Sequence, residues 1–158
     1  MKSKHELPIG LRFSLLHRTF RQKMDEQLSQ HGLTGAQFCV LGQLKKLEDQ
    51  GRTDISQRDL ENASRVTHPT MTEIIKRLEK KGFIDCRPRP DDRRYKIISS
   101  TAMVRQLGEE VKKAEDEVMN RLCKDISPEE LDTFLKILDK LLSPVLACQE
   151  KGEENERS

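Results

Sequence analysis

The chain has 158 residues, of which 35% are charged and 34% apolar, with a formal net charge of +2. That length suits one compact domain or one domain with a helical framework. No apolar run approaches the roughly 20 residues that a membrane helix needs. The start, Met1-Lys2-Ser3-Lys4-His5-Glu6, has neither the apolar core nor the small-residue cleavage site of a secretory signal. Cys39, Cys86, Cys123 and Cys148 are widely spaced with no CxxC pair, a usage that points to reduced thiols and a cytoplasmic location. Charge is unevenly distributed: +3 over residues 1–56, +4 over 57–101 and −5 over 102–158. A basic middle beside an acidic end suggests that a polyanion is held at the middle, although solvated helix faces produce the same imbalance.

From Pro8 a helical pattern begins. Ile9, Phe13, Leu16, Phe20, Met24 and Leu28 recur at three- and four-residue steps, and Leu11 and Leu15 widen the stripe. Gly32 is the expected stop. Thr34-Gly35-Ala36-Gln37 has the form of a capping box, and Phe38, Leu41, Leu44 and Leu47 share a face of the second helix. Glu48 to Asp54 is a polar loop, followed by Ile55 as a one-residue bridging strand. Ser56 caps a short third helix, Gln57 to about Ala63, anchored by Leu60 and Ala63.

Thr67 is the expected cap of a fourth helix, with Pro69 in the first turn, where a missing N–H costs little. Met71, Ile74, Ile75 and Leu78 lie at i, i+3, i+4 and i+7 and form its inner face. Lys80-Lys81-Gly82 places cations and a left-handed cap at its end. Phe83–Arg87 and Tyr95–Ser99 are short strands separated by Pro88-Arg89-Pro90-Asp91-Asp92-Arg93-Arg94, which makes a hairpin with a charged tip. From about Thr101 the helical period returns in Met103, Leu107, Val111, Ala114, Val118 and Leu122. Ser127-Pro128-Glu129-Glu130 then caps a last helix, with Leu131, Phe134, Leu135, Leu138, Leu141, Leu142 and Val145 inward. Residues 149–158 are polar, as expected of a disordered tail.

The expected fold is mainly α with a small β-hairpin wing. A winged helix-turn-helix lobe spans 34–100, and the segments 1–33 and 101–148 form a helical dimerisation framework. With the apolar face turned inward, Thr67, His68, Thr70, Thr72, Glu73, Lys76 and Arg77 of the fourth helix lie outward or flanking. A helix fits the major groove, where side chains can distinguish all four base pairs. The short hydrogen-bonding residues could approach base edges, while Lys76 and Arg77 suit phosphates. An ordinary amphipathic helix with a polar outer face has the same pattern. The hairpin tip favours DNA, because Arg89, Arg93 and Arg94 form a guanidinium cluster suited to a narrow minor groove. Asp92 is placed to hold Arg94 in a bidentate pair.

The run Arg77-Leu78-Glu79-Lys80-Lys81-Gly82-Phe83-Ile84, followed by Asp92-Arg93-Arg94 and a strand ending at Thr101, resembles the MarR family of bacterial regulators. The likeness extends over about residues 9–148. It implies a homodimer with interlocked first and last helices, Thr67 to Arg77 in the major groove, Arg94 inserted in the minor groove and Asp92 supporting it. It also implies a small-molecule effector site between the helical framework and the lobe, for which Phe13, His17, Phe38 and Leu107 are the candidate lining residues. The chain departs from the family in having Ser100-Thr101 and Val104 where Leu-Thr and then Gly are frequent. It has no cysteine in residues 7–31, where peroxide-sensing members carry one. Its histidines, His5, His17, His31 and His68, do not form the pair that zinc-sensing members place on the fifth helix.

Neither a cofactor nor a metal site is expected. Cys39, Cys86 and Cys123 read as small packed hydrophobes, with Cys148 as the most exposed thiol. GxSxG, P-loop, HExxH and dinucleotide motifs are all missing, which argues against an enzyme. A protein-binding adaptor would favour exposed aromatics at the wing, and the chain has one Tyr and no Trp.

Overall fold

The computed structural model describes residues 7–155, in the order α1 (Ile9–Gln30), α2 (Gly35–Asp49), α3 (Gln57–Ser64), α4 (His68–Lys80), β1 (Ile84–Pro88), β2 (Lys96–Ser100), α5 (Ala102–Leu122) and α6 (Pro128–Asn155). The chain divides into two compact units, Met1–Val118 and Met119–Ser158.

Local chemistry sets the element ends in the first unit. Pro8 precedes α1. At its other end Leu33 N–H donates to the Leu28 carbonyl and Gly32 N–H to Ser29. This is a Schellman stop, and Gly32 supplies the positive φ of 62° that it requires. Thr34 and Gln37 form the expected capping box, and Ser56 and Asp59 form another at the start of α3. Thr67 stands at the N-cap of α4 but does not cap it through its side chain. Its hydroxyl lies 3.0 Å from the Thr70 hydroxyl instead. The turn between α3 and α4 passes through Arg65 at φ 52°, a left-handed conformation held by a non-glycine residue.

Leu28, Val40, Leu41, Leu44, Leu60, Met71, Leu78, Phe83 and Leu107 are buried in one core with Ile55, Ile98, Val104 and Val111. Leu28 of α1 and the first half of α5 thus build the lobe as well as the expected framework. The inner face of α5 starts at Val104, because Met103 is exposed. Strands β1 and β2 pair antiparallel, Ile84 opposite Ser100 through Pro88 opposite Lys96, one residue later than the pattern suggested. Ile98 N–H donates to the Ile55 carbonyl at 2.8 Å, so Ile55 supplies one ladder bond rather than a strand of its own.

Two apolar stripes do not pack as the periodicity suggested. Ile9, Leu11, Phe13, Leu15 and Leu16 on α1 are exposed, and in the second unit so are Phe134, Leu135, Leu141, Leu142 and Val145 on α6. Leu131 and Leu138 are only half-buried. The Ser127 cap of α6 holds: Ser127 N–H donates to Glu130 Oε2 at 2.9 Å, and Glu130 N–H donates to Ser127 Oγ at 3.2 Å. Helix α6 continues to Asn155 where a disordered tail was expected from 149. Residues 156–158 and the side chain of Cys148 lie outside the described residues. Among the described residues, no helix is long and apolar enough to cross a membrane.

Candidate nucleic-acid interface

Helix α4 buries Met71, Ile74, Ile75 and Leu78 as its spacing requires. The opposite side leaves Thr67, His68, Thr70, Thr72, Glu73, Lys76 and Arg77 exposed, every one of the residues expected there. Its C-terminal end is fixed by a second Schellman turn. Phe83 N–H donates to the Leu78 carbonyl and Gly82 N–H to Glu79, with Gly82 at φ 79°. Lys81 ties this end to the α1–α2 turn through the Gly32 carbonyl and Gln37 Oε1. Gln37 is buried, and its Oε1 also accepts from the Thr34 N–H, so the capping residue doubles as an anchor for the helix.

The N-terminal end of α4 is held by side chains of α3. Gln57 Nε2 donates to Glu61 Oε1 and to Thr72 Oγ1, each at 2.8 Å. Thr72 Oγ1 donates to the His68 carbonyl at 2.9 Å. His68 Nδ1 lies 2.7 Å from Glu61 Oε1. A carboxylate only accepts, so Nδ1 carries the proton and Nε2 is left on the exposed side of the ring. The Thr72 hydroxyl is therefore engaged inside the fold, and what it offers outward is chiefly its methyl group.

At the wing the three arginines differ. Arg94 Nε and Nη2 each donate to one Asp92 oxygen at 3.1 Å, and the Arg94 backbone N–H donates to Asp92 Oδ1 at 3.1 Å. These bonds hold the Asp92 carboxyl below its ordinary range. The Arg94 side chain remains 88% exposed, so the pair fixes its direction while leaving its outer edge open. Arg89 lies 3.7 Å from both Asp54 and Asp91, and its charge is partly answered within the protein. Arg93 is exposed. The turn is closed by Arg89 N–H to the Tyr95 carbonyl at 2.8 Å and Tyr95 N–H to the Asp92 carbonyl at 3.0 Å.

The root of the wing is pinned by Glu48, which lies in the last turn of α2 rather than in the expected polar loop. Ser100 N–H and Oγ donate to the two oxygens of Glu48 at 2.7 and 2.6 Å. Thr101 Oγ1 donates to the Gly82 carbonyl at 2.7 Å. The wing and α4 are thereby set from the same junction. Between α3, α4 and the wing lies a cleft of about 620 Å³, lined by Gln57, Glu61, His68, Cys86, Arg89 and Arg94 among others.

Gln57, Glu61 and Glu48 were not among the expected site residues. Gln57 and Glu61 do carry a signal, because i, i+4 spacing after a Ser cap puts both on one side of a short helix. Glu48 carries none, since its partner is 52 residues away. Leu107 is fully buried in the core, Phe38 is half-buried against it, and Phe13 and His17 are exposed on α1. Among the cysteines, Cys39 is exposed rather than packed, because it falls on the outer side of α2 beside the buried Val40. The Cys86 thiol is pushed up to about 11 by burial and by the neighbouring Glu79 carboxylate, so it stays protonated and unreactive at neutral pH. Among the described residues no cluster of His, Cys, Asp and Glu could hold a metal ion.

Comparison with known proteins agrees with this geometry. The MarR family model matches residues 31–94, from the α1–α2 turn to Arg94. The Staphylococcus aureus protein MepR, described as a transcription regulator of the multidrug efflux pump MepA, is 27% identical at a TM-score of 0.70, covering 88% of this chain and 99% of MepR. The S. aureus MepR–DNA complex is 28% identical at a TM-score of 0.67, covering 84% of this chain and 96% of that one. The reduced form of MarR from E. coli has the same fold, with a TM-score of 0.65 at 23% identity, covering 86% of this chain and 97% of MarR. With α4 and the Asp92–Arg94 wing in place, the lobe of this chain matches the MarR family, and the chain is similar along most of its length to the winged helix transcription regulator MepR.

Proposed function

We propose that the protein is a cytoplasmic repressor that binds a pseudo-palindromic operator as a homodimer, with α4 of each protomer in the major groove and each wing in the adjacent minor groove. The observation that carries this reading is Arg94, which is held in a fixed direction by both oxygens of Asp92 yet is 88% exposed. A guanidinium oriented in this way suits a narrow minor groove, whose negative potential favours it over solvent. Thr67, His68 and Thr70 take the base-facing role, Lys76, Arg77 and Arg93 suit phosphates, and Arg89 chiefly braces the wing. The uncovered apolar residues on α1 and α6 are the surfaces through which two chains associate.

Occupancy blocks transcription. A small-molecule effector that disfavours the DNA-competent spacing of the two lobes by a few kcal/mol empties the operator. Phe13, His17 and Phe38 offer surface for such a ligand, whereas Leu107 contributes only from within the core.

The test is a titration of operator DNA with wild type and Arg94→Ala at matched salt. Loss of a charge-assisted contact should weaken binding about tenfold to a hundredfold, while the dimer and the fold persist. Equal affinity of the two proteins removes the wing from the mechanism.

A further inference from the structure

We infer that Gln57, the first residue of α3, reads a base of the operator: its carboxamide oxygen accepts a hydrogen bond from an exocyclic amine in the major groove, adenine N6 or cytosine N4. The inference rests on the proposal that α4 enters the major groove, and it adds a reader from outside that helix.

The hydrogen bonds settle which end of the Gln57 amide faces which neighbour. The Thr72 hydroxyl proton goes to the His68 carbonyl, so toward Gln57 the Thr72 oxygen can only accept. Glu61 is a carboxylate and also only accepts. Both contacts therefore require the amide nitrogen. Nε2 further lies 3.2 Å from His68 Nδ1 and 3.5 Å from the His68 carbonyl, which centres it over the first turn of α4. The Oε1 end is left over, and no described residue donates to it.

An acceptor without a donor cannot bind phosphate, which offers only acceptors. It is also mismatched to guanine O6 and N7 and to thymine O4. What remains in the major groove is the N6 amine of adenine and the N4 amine of cytosine. Glu61 and Thr72 act as positioning residues for this acceptor, since they hold the amide with its oxygen free.

The test selects preferred half-sites from randomised operator DNA at matched salt with the full-length wild type, Gln57→Met and Thr70→Ala. Methionine keeps the length of glutamine and lacks the acceptor. Gln57→Met should lose about tenfold of discrimination for A or C at one symmetric pair of positions, leaving other positions and non-specific affinity unchanged. Replacing that base with an analogue lacking the amine should weaken the wild type by the same factor and leave Gln57→Met unaffected. An unchanged preference at every position, or an even loss across all of them, overturns the inference and reduces Gln57 to a brace between α3 and α4. If Thr70→Ala shifts the preference while Gln57→Met does not, the groove assignment of α4 stands and this inference alone fails. A wild type that selects no sequence defeats both.

Discussion

Helices α4 and α6 carry the same kind of apolar stripe and meet different fates. In α4, Met71 and Leu78 are fully buried, whereas in α6 Phe134, Leu135 and Leu141 are 44%, 45% and 52% exposed in the single chain. The lobe covers its own apolar faces because α2, α3 and β1 pack against α4. The α6 stripe is uncovered in the single chain. Periodicity therefore reports that a face is to be covered, and only the packing reports by what.

The largest expected effect is on the lobe. Leu78→Ala opens a cavity in a closed core and should cost about 2–5 kcal/mol, read as a lower urea midpoint that does not depend on protein concentration. An unchanged midpoint would mean that the lobe is not the stable unit. Leu141→Glu should act oppositely, turning the proposed dimer into monomers in sedimentation experiments and removing any concentration dependence of Tm, while the lobe stays folded. A persistent dimer would break the comparison. A smaller effect is expected for Thr34→Ala, which removes the cap of α2 and should lower stability by about 1 kcal/mol in denaturant titrations.

The smallest effect concerns pH. The carboxyl of Asp92 titrates below its ordinary range, so its pair with Arg94 is fully present above the unfolded Asp value and is lost only as pH falls through the lowered folded value. The Arg94 Nε–H resonance should accordingly be unchanged from neutral pH down to about pH 4, the ordinary aspartate value. A change near neutrality would show that Asp92 does not hold it.

Much of the lobe was legible in the sequence because its signals are local. The Thr34–Gln37 capping box, the Ser56 cap, the i, i+3, i+4, i+7 face of α4 and the Asp92–Arg94 spacing each lie within a few residues, and the structure repeats them. Contacts set by tertiary packing were not legible. The Glu48–Ser100 anchor, the bridge from Gln57 to Thr72 and the shift of the α5 inner face to Val104 depend on which elements meet in space. Cys39 shows the same limit, since an apolar neighbourhood in sequence says nothing about which side of a helix a residue occupies.

The central claim, that two lobes read one operator together, is tested most directly by a footprint of the purified protein on the DNA upstream of its own gene, with the bound stoichiometry measured in parallel. The account predicts two chains per site and two protected half-sites centred about one helical turn, roughly 10 base pairs, apart. One chain on one half-site, or protection without symmetry, would contradict it.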